Sequence, residues 1–380
     1  MLPEFYLTYL DSQLSASHLL TLEMLVWLLQ FHKQVRIERL AACLPLPILY
    51  ESRRRHIQRF LLLPQLSVPL LWFPLIKSIL STQIKPGNQV IVALDRTQWK
   101  ENNLFVVSVI WNKRAWPIYW QFLEHKGSSN LAQQLALLRP VFRLLKSYEI
   151  VVIGDREFRS VELAGWLKQK KVYFALRLKR GSYIKLSDQE YQKLDELGLV
   201  PGMKLFLTGV KFTKKKGFGQ FSLAAYWKRK YRGHGSDEAW YILTNLNSLD
   251  AAINVYKARS GIEAMFKDCK SGGYNLEDSK ASVKRLTNLV LLIALAYTCA
   301  GLQGQVIKSK GQQRYISRLK ELKRITRRHS NFWVGLYGQM WIAALESCSD
   351  WVRNLMMIRP SKRTFFQKGL RAMALIQAAF

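Results

Sequence analysis

Apolar positions along the chain change period several times, and each change marks a segment. From Thr21 to His32 they recur at helical spacing. Val35 to Cys43 predicts a second, shorter helix, which Leu44-Pro45-Leu46-Pro47 ends. Ile48 to Leu63 predicts a third, with Arg53, Arg54, Arg55 and Arg59 on one side and Ile57, Phe60 and Leu61 on the other. Two helices, a tight turn and a basic helix have the outline of a helix-turn-helix unit, whose arginines would meet phosphates. A solvated basic helix is the plain alternative. Phe60 to Leu80, with Pro64, Pro69 and Pro74, reads as a packed connection.

After Pro86-Gly87 the period shortens to that of strands. Gln89 to Leu94 is a β-branched run ending at Asp95, and Leu104 to Trp111 and Ala115 to Phe122 follow as two more strands of an antiparallel meander. Ser129 to Leu145 is helical, Tyr148 to Gly154 is a buried strand ending at Asp155, Ser160 to Lys170 is a helix and Val172 to Leu178 a strand. Three strands, helix, strand, helix, strand is the order of a ribonuclease-H-like α/β fold, a mixed sheet with helices on its faces. In that order the first and fourth strands lie side by side, so Asp95 and Asp155 would meet at their carboxyl ends. One Asp after a strand is most often a turn or cap residue. Two brought together in a basic protein suit a divalent metal, which takes hard oxygen ligands.

Three further strands, Lys204 to Val210, Phe218 to Trp227 and Trp240 to Thr244, lie in about 65 residues that a minimal ribonuclease-H fold does not need. Lys204 to Arg232 holds nine Lys or Arg and no acid, interleaved with aromatics, which suits a nucleic-acid backbone with room for base stacking. Most of those aromatics are expected to fill the core of a small sheet. Charge widens this picture: 58 Lys plus Arg against 26 Asp plus Glu give a net +32, and a soluble protein this basic calls for a polyanionic partner, nucleic acid first. Ile307 to Arg328 repeats the theme, with nine Lys or Arg against Glu321 alone. Asn331 to Met357 is amphipathic and rich in Trp and Leu. The four cysteines, far apart and without metal spacing, read as reduced thiols of a cytoplasmic protein. No basic segment followed by an apolar run opens the chain, so no signal peptide is expected. Leu286 to Leu302, broken by Thr287, Asn288 and Thr298, is short for a bilayer span and reads as a buried core helix.

The segment from Asn254 to Asn275 carries the densest chemistry. Tyr256, Arg259, Glu263 and Lys270 are spaced by 3, 4 and 7 residues, which on one continuous helix places them within roughly 60° of each other. Val255, Ala258, Ile262, Met265, Phe266 and Cys269 form the apolar stripe. A carboxylate flanked by cations and a hydroxyl suits a metal next to a phosphate; a surface salt-bridge helix is the plain alternative.

The spacing Y-(2)-R-(3)-E-(6)-K, complete in YKARSGIEAMFKDCK, resembles the signature of the insertion sequence 4 family of DDE transposases. VIVALDRTQW around Asp95, VVIGDREF around Asp155 and AWYILTNL before the signature are similar to that family's other motifs, and the resemblance covers roughly residues 20 to 300. It implies a cut-and-paste transposase: metal-dependent strand cleavage at transposon ends and strand transfer into target DNA. Asp95, Asp155 and Glu263 would bind two Mg²⁺ or Mn²⁺ ions. Tyr256, Arg259 and Lys270 would hold transposon-end phosphates, and Trp240 would stack on a flipped base. Double-stranded DNA would be the partner, a homodimer would form the synaptic complex, and the setting would be the bacterial cytoplasm at the nucleoid. The implied domains are a helical N-terminal region (1–82), the catalytic core in two parts (83–185 and 251–304), a β-rich insertion (186–250) and a basic helical C-terminal region (305–380). Another ribonuclease-H-like nuclease, such as a junction resolvase, and a DNA-binding regulator without catalysis are the alternatives.

Overall fold

Alternating β-branched residues and helical apolar stripes separate in space as they do in sequence. The computed structural model describes residues 2–186, 190–214, 219–229, 238–319 and 328–378. These form two compact units, Met1–Leu75 with Lys267–Phe380, and Ile76–Phe266.

The chain opens with α1 (Glu4–Asp11), α2 (Ala16–His32), α3 (Ile37–Cys43) and α4 (Tyr50–Phe60). Ser15 caps α2, its hydroxyl accepting from the His18 amide. Within the stretch expected to be a packed connection, a π-turn, Val68–Trp72, runs into α5 (Phe73–Gln83). Its prolines are tolerated because Pro69 sits in the first turn, where an amide is unpaired anyway.

The sheet unit follows with β1 (Gln89–Trp99), β2 (Asn102–Trp111), β3 (Arg114–Phe122) and α6 (Leu131–Leu144). Next come β4 (Glu149–Gly154), α7 (Val161–Gln169), β5 (Tyr173–Arg177), β6 (Tyr183–Lys185) and β7 (Gln192–Lys193). Then β8 (Lys204–Phe212), β9 (Gln220–Tyr226), β10 (Trp240–Thr244), α8 (Leu249–Lys257) and α9 (Ser260–Cys269) complete it. Among the described residues one ten-stranded sheet takes the order β3-β2-β1-β4-β5-β10-β9-β8-β6-β7. β1 to β3 form an antiparallel meander, while β1, β4 and β5 run parallel. The inserted strands do not make a small sheet of their own. β10 pairs antiparallel with β5, Leu243 opposite Leu176, so they prolong the main sheet. The reason is hydrogen bonding: β5 offers a free edge, and β10 carries Tyr241, Ile242 and Leu243 to cover it. Part of the expected strand Phe218–Trp227 and of the basic segment, including Lys215, Lys216, Lys230 and Arg232, lies outside the described residues, as do 320–327 of the basic C-terminal stretch.

The helical unit closes with α10 (Val283–Ser309), α11 (Gln313–Ile316), α12 (Asn331–Ser347), α13 (Ser349–Ile358) and α14 (Arg363–Gln377). α10 is long and apolar enough to cross a bilayer, yet 78% of its most apolar window is buried inside the protein, so it is the core helix expected. Gly304 and Gly335 let α10 and α12 meet backbone to backbone; a Cβ on either would collide with the Asn331 or Ala300 carbonyl oxygen. Gln30 and Tyr6 tie α2 and α1 to the same helix, through the Ala296 carbonyl (3.1 Å) and the Thr298 hydroxyl (2.8 Å).

Candidate active site

Register decides where the first two carboxylates stand. β1 and β4 pair in parallel up to Leu94 opposite Gly154, so Asp95 and Asp155 are the next residues on neighbouring strands, whose spacing is about 5 Å. Asp95 does not end its strand, as the sequence suggested. β1 continues to Trp99, because its far side keeps pairing with β2, where Asp95 faces Val106. Asp155 does leave the sheet, capping a short 3₁₀ turn through the Glu157 amide at 2.8 Å. Gly154 permits that sharp turn, since a Cβ there would sit 2.7 Å from Phe158 Cβ.

The helix expected across Asn254–Asn275 is two helices. The amides of Ala258, Arg259, Gly261 and Ile262 bond three residues back rather than four, at 2.9–3.1 Å, and the axis breaks between α8 and α9. Ser260-Gly261 is the kind of pair at which helices kink. The break places Glu263 in the first turn of α9, where the helix dipole favours an acid. It also buries Tyr256, at 3% exposure, so the common polar face predicted for the four signature residues does not form.

Arg259 takes the centre. Its Nη2 lies 2.9 Å from Asp95 Oδ2 and 3.9 Å from Asp155 Oδ2, and its Nη1 donates to Glu263 Oε1. Asp95 is buried, and Glu263 is open to solvent. Burial pushes the Asp95 carboxyl up to about 6, against the pull of Arg259 and the Arg96 amide, while the charges of Asp155 and Glu263 push it further up. Burial lowers the Arg259 pKa, but Asp95, Tyr256, Glu263 and Asp155 together outweigh that and raise it, so the guanidinium stays charged. Among the described residues no three Asp, Glu, His or Cys side chains stand at metal-binding spacing. The donor set is nevertheless the right kind: three carboxylates gathered round one cation.

Tyr256 accepts a hydrogen bond from Arg177 of β5, and burial raises its pKa above the usual value. Its ring meets Trp240 edge to face at 5.0 Å. Trp240 is half-buried, with Tyr226 at 6.3 Å on the neighbouring strand. Lys270 follows α9 in the helical unit, where its Nζ pairs with Glu277 at 2.7 Å. The N-terminal arginines do not share one face, because consecutive helical residues are about 100° apart. Arg53 turns back to the Leu46 carbonyl (3.4 Å), Arg54 pairs with Glu51 (3.0 Å) and Arg55 is exposed.

The family model for the transposase DDE domain matches residues 108–299, just over half the chain. The chain belongs to that family. The match to this DDE domain takes in Asp155 and Glu263 and begins after Asp95. No curated protein sequence matches it. A cryo-EM structure of the piggyBac transposase synaptic complex with hairpin DNA is similar at 13% identity and a TM-score of 0.33, over 78% of this chain. The DDE chain spans 60% of that transposase's length.

Two residues beside the aspartates escaped the sequence reading. Arg96 and Glu157 follow Asp95 and Asp155 by one and two positions, and their side chains pair at 2.9 Å, nearly buried. Arg96 also reaches Asn103 Oδ1 at 2.8 Å, while Glu157 accepts from the Ser129 amide and hydroxyl, both at 2.8 Å. The pair therefore locks β1 to the turn after β4, beside both aspartates. The signal was present as charged residues of opposite sign, Arg96 and Glu157, within two positions of the aspartates.

Proposed function

We propose that the chain is a DDE transposase that cuts DNA at the ends of a mobile element and joins the freed 3′ ends to a target. The supporting observation is convergence: Asp95, Asp155 and Glu263, from segments 60 and 108 residues apart, meet at one guanidinium. Burying one carboxylate beside two others costs stability, and a catalytic use explains why a fold would keep it. These three are the catalytic carboxylates and the ligands for Mg²⁺ or Mn²⁺ in a two-metal site. A divalent ion bound there supplies Lewis-acid stabilisation of the phosphoryl oxygens and a more acidic water. Arg259 balances the carboxylate charge and stands where a phosphate held at the same groups meets its remaining N–H donors. Arg96 and Glu157 fix the two aspartates, while Tyr256, Lys270 and Trp240 contact the transposon end.

In this reading the meander, β4, β5 and their helices are a ribonuclease-H-like core in two parts (83–185 and 251–304). Residues 186–250 extend it, the helical regions 1–82 and 305–380 contact DNA, Arg53, Arg54 and Arg55 included, and two copies pair in the synaptic complex. The protein acts in the bacterial cytoplasm, at the nucleoid. The test is strand cleavage of labelled DNA taken from the borders of the gene, with Mg²⁺, Mn²⁺ or EDTA, comparing wild type and Glu263→Ala. Metal-dependent cuts at the element boundary, lost in the variant, are expected. Binding without cutting under any metal would replace this reading by that of a DNA-binding regulator.

A further inference from the structure

The sheet unit holds a groove of 980 Å³ that the carboxylates do not line. Its five cations come from three segments: Arg156 and Arg159 after β4, Lys179 and Arg180 after β5, and Lys214 after β8. One carboxylate, Glu238, shares the groove, and Arg156 and Arg177 already hold it. Lys214 lies 5.2 Å over the Tyr183 ring, so an aromatic floor spaces the cations. Solvated surface charge is normally mixed in sign. Five like charges in one concavity repel one another, and a polyanion relieves that cost.

The groove is also connected to the acidic centre. Arg156 directly follows Asp155. On the other side Glu238 pairs with Arg177 at 2.7 Å, Arg177 hydrogen-bonds Tyr256, and Tyr256 lies electrostatically close to Arg259. A chain of polar contacts thus runs from the groove wall to the guanidinium among the carboxylates.

We propose that this groove carries the phosphodiester backbone of the DNA segment flanking the scissile phosphate, through Lys179, Arg180 and Lys214 above all. The inference rests on the DNA-cutting reading and adds the path of the strand. Each phosphate neutralised releases bound counterions, so the contact count appears in the salt dependence of binding, at about 0.9 per contact for duplex DNA.

The experiment uses the full chain and labelled duplex DNA from the gene borders, titrated in EDTA across a range of salt. The variant is Lys179→Gln/Arg180→Gln/Lys214→Gln. The control is Lys85→Gln/Lys146→Gln/Lys170→Gln, which removes equal charge from exposed positions just before β1, β4 and β5, at the opposite strand ends. The groove variant is expected to flatten the slope of log K against log salt by about 2 to 3, and the control by less than about 1. Lys179→Arg/Lys214→Arg is expected to keep the wild-type slope, which separates lost charge from lost folding. Ethylation of single phosphates beside the cut should interfere with wild-type binding and lose that effect in the groove variant. Equal slope changes in both triple variants, or none in the groove variant while wild type still binds and cuts, would overturn the groove and leave the transposase reading standing. A wild type that neither binds nor cuts would overturn both.

Discussion

α10 in the helical unit is surrounded by apolar side chains, with Leu291, Leu292 and Leu295 fully buried, whereas the sheet unit buries a charge, Asp95 of β1, beside the end of β4. Each such leucine contributes about 1.5–3 kcal/mol by leaving water. The acidic centre works in the opposite sense: Asp95 loses hydration and recovers part of it from the Arg259 guanidinium. The contrast separates residues that stabilise the fold from residues that the fold sustains at a cost, and substitutions should behave differently in the two places.

The largest effect is expected on catalysis. Asp95→Ala, Asp155→Ala or Glu263→Ala each should lower strand cleavage by about a thousandfold or more, with end binding largely kept. Cleavage retained by any one of them would remove that residue from the triad. On stability, Gly335→Leu should cost about 3 kcal/mol by forcing α10 and α12 apart, read as a lower denaturation midpoint. A midpoint equal to wild type would mean the helices do not meet there. Glu157→Gln falls between the two regions, since it leaves the nearly buried Arg96 short of a charge partner. A loss of about 1–3 kcal/mol is expected, with slower cleavage and unchanged DNA affinity. Unchanged cleavage would reduce the pair to a purely structural tie. The smallest effect is expected from Lys270→Ala, which removes a cation held by Glu277 rather than by the three carboxylates, and should weaken binding at the cleavage site and flatten the salt slope by about 1 or less.

The meander, β4, α7 and β5 were legible because period and turn residues agreed over each segment, and β10 was placed to the residue. So was the pairing of β1 with β4, which strand order alone implies. The helix break at Ala258–Arg259 was not legible, because Tyr256, Arg259 and Glu263 fit one helical face as well as they fit a kink. Tertiary contacts chose the kink: Gly261 packs on the β2–β3 hairpin, where a Cβ would stand 3.1 Å from Ile110. The Arg96–Glu157 pair was hidden for a related reason, since its 61-residue separation becomes a contact only once β1 and β4 are in register.

The ten-stranded sheet has a consequence for anyone who would shorten this protein. β5 would present Phe174, Ala175 and Leu176 along an open hydrogen-bonding edge if residues 186–244 were removed, and such an edge recruits other chains into aggregates. The inserted strands are therefore also a cover. They carry the sheet outward to β7, a strand of two residues, too short to template further pairing. The other margin ends on β3, whose Pro117 cannot donate a backbone hydrogen bond to a newcomer.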